Sequence, residues 1–314
     1  MLVETSTKPG RASDLHHGQS ANLFMNAGVA FVPIWFLASL AFLAYGPVQD
    51  HSEFVSARLA DAQQGVLFTF HRFAYRPATG WRAFPDGGIP DYVEDVNILA
   101  AYDLPRKKVK MYRREKNFAW QPGSGLFTIH AISGNKALIA QGGQLRGDFK
   151  LTIRYIMLDL KSGNCQDLDL KSDLAKYGRD CGQIYLVDTN GTLVFITLSL
   201  DEAKDPSANR NSTLVPEIWV RDSKGSYRKV ATSAHYECTR NGEVIYWESS
   251  TRTFMAFSLT TSQTRPAPEF KVRSFEDVTQ GAGLTNDRRG IEIGEKVAGQ
   301  WNYHPLDLKP ETLR

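Results

Sequence analysis

Thr152-Ile-Arg-Tyr-Ile-Met-Leu-Asp-Leu-Lys-Ser-Gly-Asn-Cys-Gln-Asp-Leu-Asp-Leu170 reads as two strands around a tight turn. Ile153 to Leu160 is rich in β-branched, aromatic and large apolar side chains, which suit a pleated, half-buried surface. Lys161-Ser-Gly-Asn164 supplies the small residues and the glycine that a turn with positive φ requires. On the return limb Leu168 and Leu170 alternate with Asp167 and Asp169, the two-residue period of a strand with one buried face.

Variants of this hairpin recur from Gly65 to the end of the chain, and two kinds of turn alternate. Early turns enter apolar strands at Gln64-Gly65, Gly134-Asn135, Asn190-Gly191, Asn241-Gly242 and Arg289-Gly290. Asn-Gly is a strong hairpin signal because both residues tolerate positive φ. Late turns resemble the Leu158–Gly163 segment and occur at Tyr102-Asp-Leu-Pro-Arg-Lys107, Val220-Arg-Asp-Ser-Lys-Gly225, Phe257-Ser-Leu-Thr-Thr-Ser262 and Leu306-Asp-Leu-Lys-Pro310. Successive members of each series lie roughly 50 residues apart, within the range of radial repeats.

One early and one late hairpin make a four-stranded antiparallel sheet, which buries both faces only by stacking on its neighbours. This alternation resembles the β-propeller superfamily. The resemblance implies an all-β fold of five blades, with a sixth left open because Arg76 to Asp91 is long and rich in Pro and Gly. A two-sheet sandwich of equally short strands is the alternative.

The 314 residues are 42% hydrophobic and 23% charged, ordinary for a globular chain, and the formal net charge of +3 gives no case for a nucleic-acid partner. No Asp, Glu, Lys or Arg occurs between Asp14 and Asp50, and the apolar run within it is long enough to cross a bilayer. The chain is therefore divided into a tail at 1–21, a transmembrane helix at 22–46, a juxtamembrane linker at 47–63 and the repeat domain at 64–314. A cleaved signal peptide ending near Ala41 to Ala44 and a buried core helix are the rivals. Lys8 and Arg11 precede the helix, and the first basic residue after it is Arg58. The positive-inside rule then puts the tail in the cytosol and the repeat domain on the extracytoplasmic side. Ser52 to Ala62 reads as a short helix with Phe54, Val55 and Leu59 as its stripe.

Common catalytic signatures are absent from the sequence. His71, His130, His235 and His304 fall in different repeats, where inward-facing strands could gather them as metal ligands, although ordinary hydrogen-bonded or surface histidines are the commoner case. His235 and Glu237 share a strand face with Cys238 opposite, which argues against a three-ligand site. Some five-bladed propellers are glycoside hydrolases, and Glu94, Asp95, Asp188, Glu217 and Glu248 are the carboxylates near strand ends that such chemistry needs. Asp188 and Glu217 lead that set. A sugar platform would draw on Trp81, Trp120, Trp219, Trp247 and Trp301, most of which fit a blade core better.

The densest charge is Arg106 to Lys116, where Lys107, Lys108, Lys110, Arg113 and Arg114 form either an edge strand that repels pairing or a site for anionic lipid head groups. Cys165 and Cys181 could pair as a disulfide across neighbouring strands. Together these readings predict a single-pass membrane protein whose propeller binds or scaffolds other proteins without cofactor or metal. The alternative is a membrane-anchored carbohydrate-active hydrolase using carboxylates from different blades.

Overall fold

The computed structural model describes residues 46–61, 65–79, 91–116, 125–144, 151–199, 215–270 and 280–313. The chain divides into two compact units, 1–47 with 76–91 and 48–75 with 92–314. In the first, Gly46 N–H donates to the Pro77 carbonyl at 2.8 Å. The expected tail, all but the last residue of the expected transmembrane helix, Trp81 and Trp120 lie outside the described residues. Among the described residues no helix is long and apolar enough to cross a membrane.

The second unit consists of five antiparallel sheets taken in chain order. Sheet one holds β1 (Gln49–Asp61), β2 (Gly65–Arg76), β3 (Asp91–Asp103) and β4 (Lys108–Lys116). Sheet two holds β5 (Phe127–Ser133), β6 (Lys136–Gln144), β7 (Leu151–Asp159) and β8 (Cys165–Leu168). A short helix, α1 (Leu170–Ala175), leads into sheet three: β9 (Arg179–Leu186), β10 (Leu193–Ser199), β11 (Glu217–Arg221) and β12 (Tyr227–Thr232). Sheet four is β13 (Ala234–Arg240), β14 (Glu243–Glu248), β15 (Thr253–Ser258) and β16 (Thr264–Pro266). Sheet five has three strands, β17 (Gln280–Leu284), β18 (Ile291–Val297) and β19 (Gln300–Pro305), followed by a 3₁₀ turn at Pro310–Leu313.

Every strand pairs with its sequence neighbour, so each sheet is a meander. Four of the five early turns and the first four late turns join strands where the sequence placed them, while Gln64 of the remaining early turn lies outside the described residues. The fifth late turn does not: Pro310 cannot donate to a ladder, and the chain closes into the 3₁₀ turn instead of a fourth strand.

The segment expected as a linker and short helix is β1. Phe54 pairs with Phe70 and Ser56 with Thr69, so Val55 is an extra, bulged residue. Phe54, Ala57 and Leu59 therefore share one face at spacings of three and two, which imitates a helical stripe. The first strand of each of the next three sheets carries a bulge as well, at His130, Gly182 and Glu237, whereas β17 pairs without one.

Four apolar seams join the sheets. Phe68 and Ile98 of sheet one pack with Ile291 of sheet five, and Leu67 and Leu99 pack with Ile139 and Ile156 of sheet two. Leu138 and Met157 meet Phe195 of sheet three, with Leu170 and Leu174 of α1 filling the same seam. Val194 and Ile218 meet Tyr246 and Phe257 of sheet four. The first strands approach one another: β1 lies against β5 and β17, and β5 against β9. Phe54 N–H donates to the Arg288 carbonyl at 2.8 Å, tying the first sheet to the last. Among the described residues no apolar cluster joins sheets four and five; the second face of sheet four is covered locally by Ala267 and Phe270.

Candidate functional site

Three first strands, β5, β9 and β13, surround a hollow of about 380 Å³. It is open to one side and is lined by His130, Ile184, Tyr185, Tyr236 and Thr239, together with Ala131, Leu186 and Val187. The Tyr185 and Tyr236 rings lie 4.4 Å apart at 36°. Tyr185 donates its hydroxyl hydrogen to Gln183 Oε1 at 2.8 Å, and the Tyr236 and Thr239 hydroxyls share a hydrogen bond of 3.1 Å. Burial pushes the Tyr236 phenol up to about 12, so it stays a neutral hydroxyl.

His130 reaches this hollow because it is the bulged residue of β5, and a bulge re-aims a side chain. Its Nε2 lies 2.7 Å from the Ile184 carbonyl oxygen. A carbonyl only accepts, so Nε2 carries the hydrogen and Nδ1 is left as an acceptor. Aromatic faces, two kinds of hydroxyl and one imidazole are therefore the chemistry gathered around the hollow. None of its described walls is a carboxylate.

The sequence candidates are dispersed. Glu217 is buried on β11 and is held by Arg179 at 2.6 Å, Trp219 Nε1 at 2.9 Å and Lys229 at 3.4 Å. Asp188 caps the β9–β10 turn, accepting from Asn190 N–H and Thr192 N–H at 2.9 Å each. Glu248 accepts from the Thr251 hydroxyl, and Glu94 faces Arg72. Asp95 is buried against His71, whose Nε2 lies 2.9 Å from Asp95 Oδ1, between sheets one and two. The other ring nitrogen of His71 and the Asn97 side-chain oxygen are buried without a hydrogen-bond partner.

The four histidines do not converge: His71 is in the seam of sheets one and two, His130 at the hollow, and His235 and His304 are exposed on sheets four and five. No group of three metal-ligating side chains occurs among the described residues. The bulge at Glu237 also alters the face assignment drawn from sequence. His235 pairs with Trp247 and Cys238 with Ile245, which puts those two on one side of sheet four.

The basic stretch is the outer edge strand β4, and it is not a uniform cationic face. Arg113 pairs with Glu115 at 2.6 Å and with Asp167 at 2.9 Å. Lys110 Nζ donates to the Leu160 and Lys161 carbonyls, and Lys107 occupies the β3–β4 turn at φ 51°. Lys107, Lys108, Lys110 and Arg114 are exposed. The bridge expected between Cys165 and Cys181 is not formed; both are free thiols. Cys165 packs into the seam of sheets one and two, while Cys181 packs into the seam of sheets two and three, so sheet two separates them. Of the tryptophans, Trp219 is buried and Trp247 packs edge-on against Phe254, whereas Trp301 is exposed.

Tyr185, Tyr236 and Thr239 escaped the sequence reading. A tyrosine in an alternating strand carries no mark that separates a cavity wall from a core position, and only the convergence of three sheets does so. Comparison of the sequence with models of protein families and with curated proteins finds no match.

Proposed function

We propose that the chain is a five-bladed β-propeller, held to a membrane by its N-terminal apolar stretch, that binds a partner protein and does not convert a substrate. The observation that carries this reading is the hollow at β5, β9 and β13. In a radial array the first strand of each blade lines the axis, so three first strands around one cavity are what an axial binding site requires. The meander order, the bulge repeated in β1, β5, β9 and β13, and the return of β17 to β1 support the ring. The partner's contacting group is an uncharged side chain, aromatic or amide, lying against Tyr185 and Tyr236 and hydrogen-bonding to Thr239 or His130 Nδ1.

The engagement of Glu217 by Arg179, Lys229, Trp219 and Thr232, and of Asp188 by its own turn, supports binding over hydrolysis, since both carboxylates are held within the fold and neither lines the hollow. The uncharged run preceding Asp50 supplies the anchor, and the basic residues before it favour an extracytoplasmic module.

The test uses the full chain in detergent micelles with a benzophenone cross-linker placed at the hollow. Tyr236→Ala and Tyr185→Ala should each lower cross-linked partner by roughly tenfold, the scale of a lost aromatic anchor. Asp188→Ala should leave capture unchanged. Turnover of chromogenic glycosides by the wild-type chain, lost in Glu217→Gln or Asp188→Ala, would overturn the reading in favour of a hydrolase.

A further inference from the structure

Sheet edges attract other strands, and four of the five outer edges here are guarded. β4 is dense in Lys and Arg, and β12 carries Arg228 and Lys229. β8 has four residues, with Asp167 bound by Arg113 and Arg154. β16 has three residues, including Arg265 and Pro266. β19 differs from all of them: Gln300-Trp-Asn-Tyr-His-Pro305 has no Asp, Glu, Lys or Arg, and every one of its six residues is exposed.

The register tells which backbone groups this edge presents. Ala298 and Gly299, at φ 51° and 84°, close β18 onto β19 as a two-residue turn, so Val297 and Gln300 exchange both hydrogen bonds. Alternation then makes Glu295–Asn302 and Ile293–His304 hydrogen-bonded pairs, and Leu306 N–H donating to the Ile291 carbonyl at 2.7 Å continues the series. Trp301 and Tyr303 are the intervening residues, and their N–H and C=O groups point to the open edge. Pro305 lacks an N–H on that same side.

Among the described residues no strand pairs with this edge, and the two rings leave its backbone uncovered. They stack at 6.1 Å and 19° and lean inward over β18, where a Cβ on Gly294 would meet Tyr303 at 2.8 Å and Trp301 at 3.0 Å. Trp301 is 37% and Tyr303 57% exposed, so the platform faces solvent.

We propose that β19 is a self-association edge, with two copies of the chain pairing β19 to β19 antiparallel about a twofold axis through Asn302. This register sets Trp301 opposite Tyr303 of the partner subunit, and the outward groups of each exchange two hydrogen bonds, which the symmetry doubles to four. Gln300 falls opposite His304 of the partner subunit. No ionised side chain of one strand meets another, whereas the same pairing through β4 would set cations against cations. Shifting the axis to Tyr303 would place Pro305 in the ladder and forfeit a donor, so the Asn302 register is preferred. Six residues bury far less than the ~800 Å² per partner of a stable complex, so the dimer is reversible. This edge is independent of what the hollow binds.

Sedimentation velocity on the full chain in detergent micelles, across a range of protein concentrations, should show a monomer–dimer equilibrium. Asn302→Lys should move its midpoint upward by about fivefold by opposing two ammonium groups. The register is read by cross-linking. Asn302 faces itself in a non-hydrogen-bonded pair with Cα atoms about 4.5 Å apart, inside the reach of a disulfide. Asn302→Cys should therefore oxidise to a covalent dimer, with the unsubstituted chain and its three cysteines as the blank. Gln300→Cys and His304→Cys should each cross-link poorly alone and efficiently when mixed. A chain monomeric at every concentration would overturn the proposal, and would be the result if the edge serves a strand of another protein. Equal cross-linking at all three positions, or a dimer unmoved by Asn302→Lys, would overturn it too.

Discussion

Glu217 and the Tyr185–Tyr236 hollow handle buried polarity in opposite ways. Glu217 is a charge withdrawn from water and surrounded by Arg179, Lys229 and Trp219, so its oxygens are spoken for within the fold. The hollow holds hydroxyls and an imidazole but no carboxylate, ammonium or guanidinium group. The difference teaches that the more chemically conspicuous residue is already engaged within the fold, while the quieter surface borders open space. A buried carboxylate is costly unless paired, so its partners are fixed first. An uncharged aromatic wall costs little to leave partly open.

Breaking the Glu217 side should give the largest effect. Glu217→Ala leaves the largely buried Arg179 without its carboxylate partner and should cost about 3 kcal/mol, read as a lowered urea midpoint. A loss under about 1 kcal/mol would mean that the carboxylate is not structurally required and would reopen a catalytic role. Glu217→Gln should recover part of the stability by keeping the Trp219 contact.

Asp159, in the β7–β8 hairpin, gives a sharper test of how paired carboxylates behave. Hydrogen bonds from the Lys136 ammonium and the Ser162 N–H hold its carboxyl well below the usual carboxylate range. The depressed folded value means that its contribution is complete above the unfolded value of 3.8 and is lost as pH falls further. Asp159→Asn should cost about 1–2 kcal/mol at neutral pH, and the gap to wild type should narrow in acid below pH 3.8. A constant gap across that window would refute the assignment.

The hollow has its own titration. Because burial raises the folded Tyr236 value from 10.0 to about 12, the neutral phenol stabilises the fold below pH 10.0, and this contribution is lost as pH rises towards 12. Tyr236→Phe should change neutral stability by under about 1 kcal/mol while flattening the alkaline loss. An unchanged alkaline limb would place the responsible group elsewhere.

The smallest expected effect concerns reactivity. Burial pushes the Cys181 thiol from 9.0 up to about 12, which cuts its thiolate population by about a thousandfold at mild pH. Iodoacetamide should label Cys181 in the native chain only after unfolding. Rapid native labelling there would show that the seam between sheets two and three opens.

The hairpins were legible because their chemistry is local. Asn190-Gly191 and Asn241-Gly242 need no distant residue to turn, with Gly191 at φ 93° and both Asn241 and Gly242 at positive φ. Two-residue alternation likewise marks Leu168 against Asp167 without reference to the rest of the chain. The period failed where a bulge intervened, and this is why β1 read as helix and why Cys238 was assigned to the wrong side of β13. Cys165 and Cys181 were close in sequence and strand order, yet sheet two stands between them. Sequence separation does not report which face of a sheet a side chain takes.

The sequence by itself determined the all-β class, most strands after β1 and the turns that join them, since backbone preference and burial period act within a few residues. The tertiary structure alone decided the rest. It placed Glu217 at the centre of a buried ion-pair cluster, brought Tyr185, Tyr236 and His130 to one hollow, and left β19 as an uncharged edge among the described residues. Each of these depends on which sheet faces which, and that is fixed by long-range apolar packing whose partners no local pattern names.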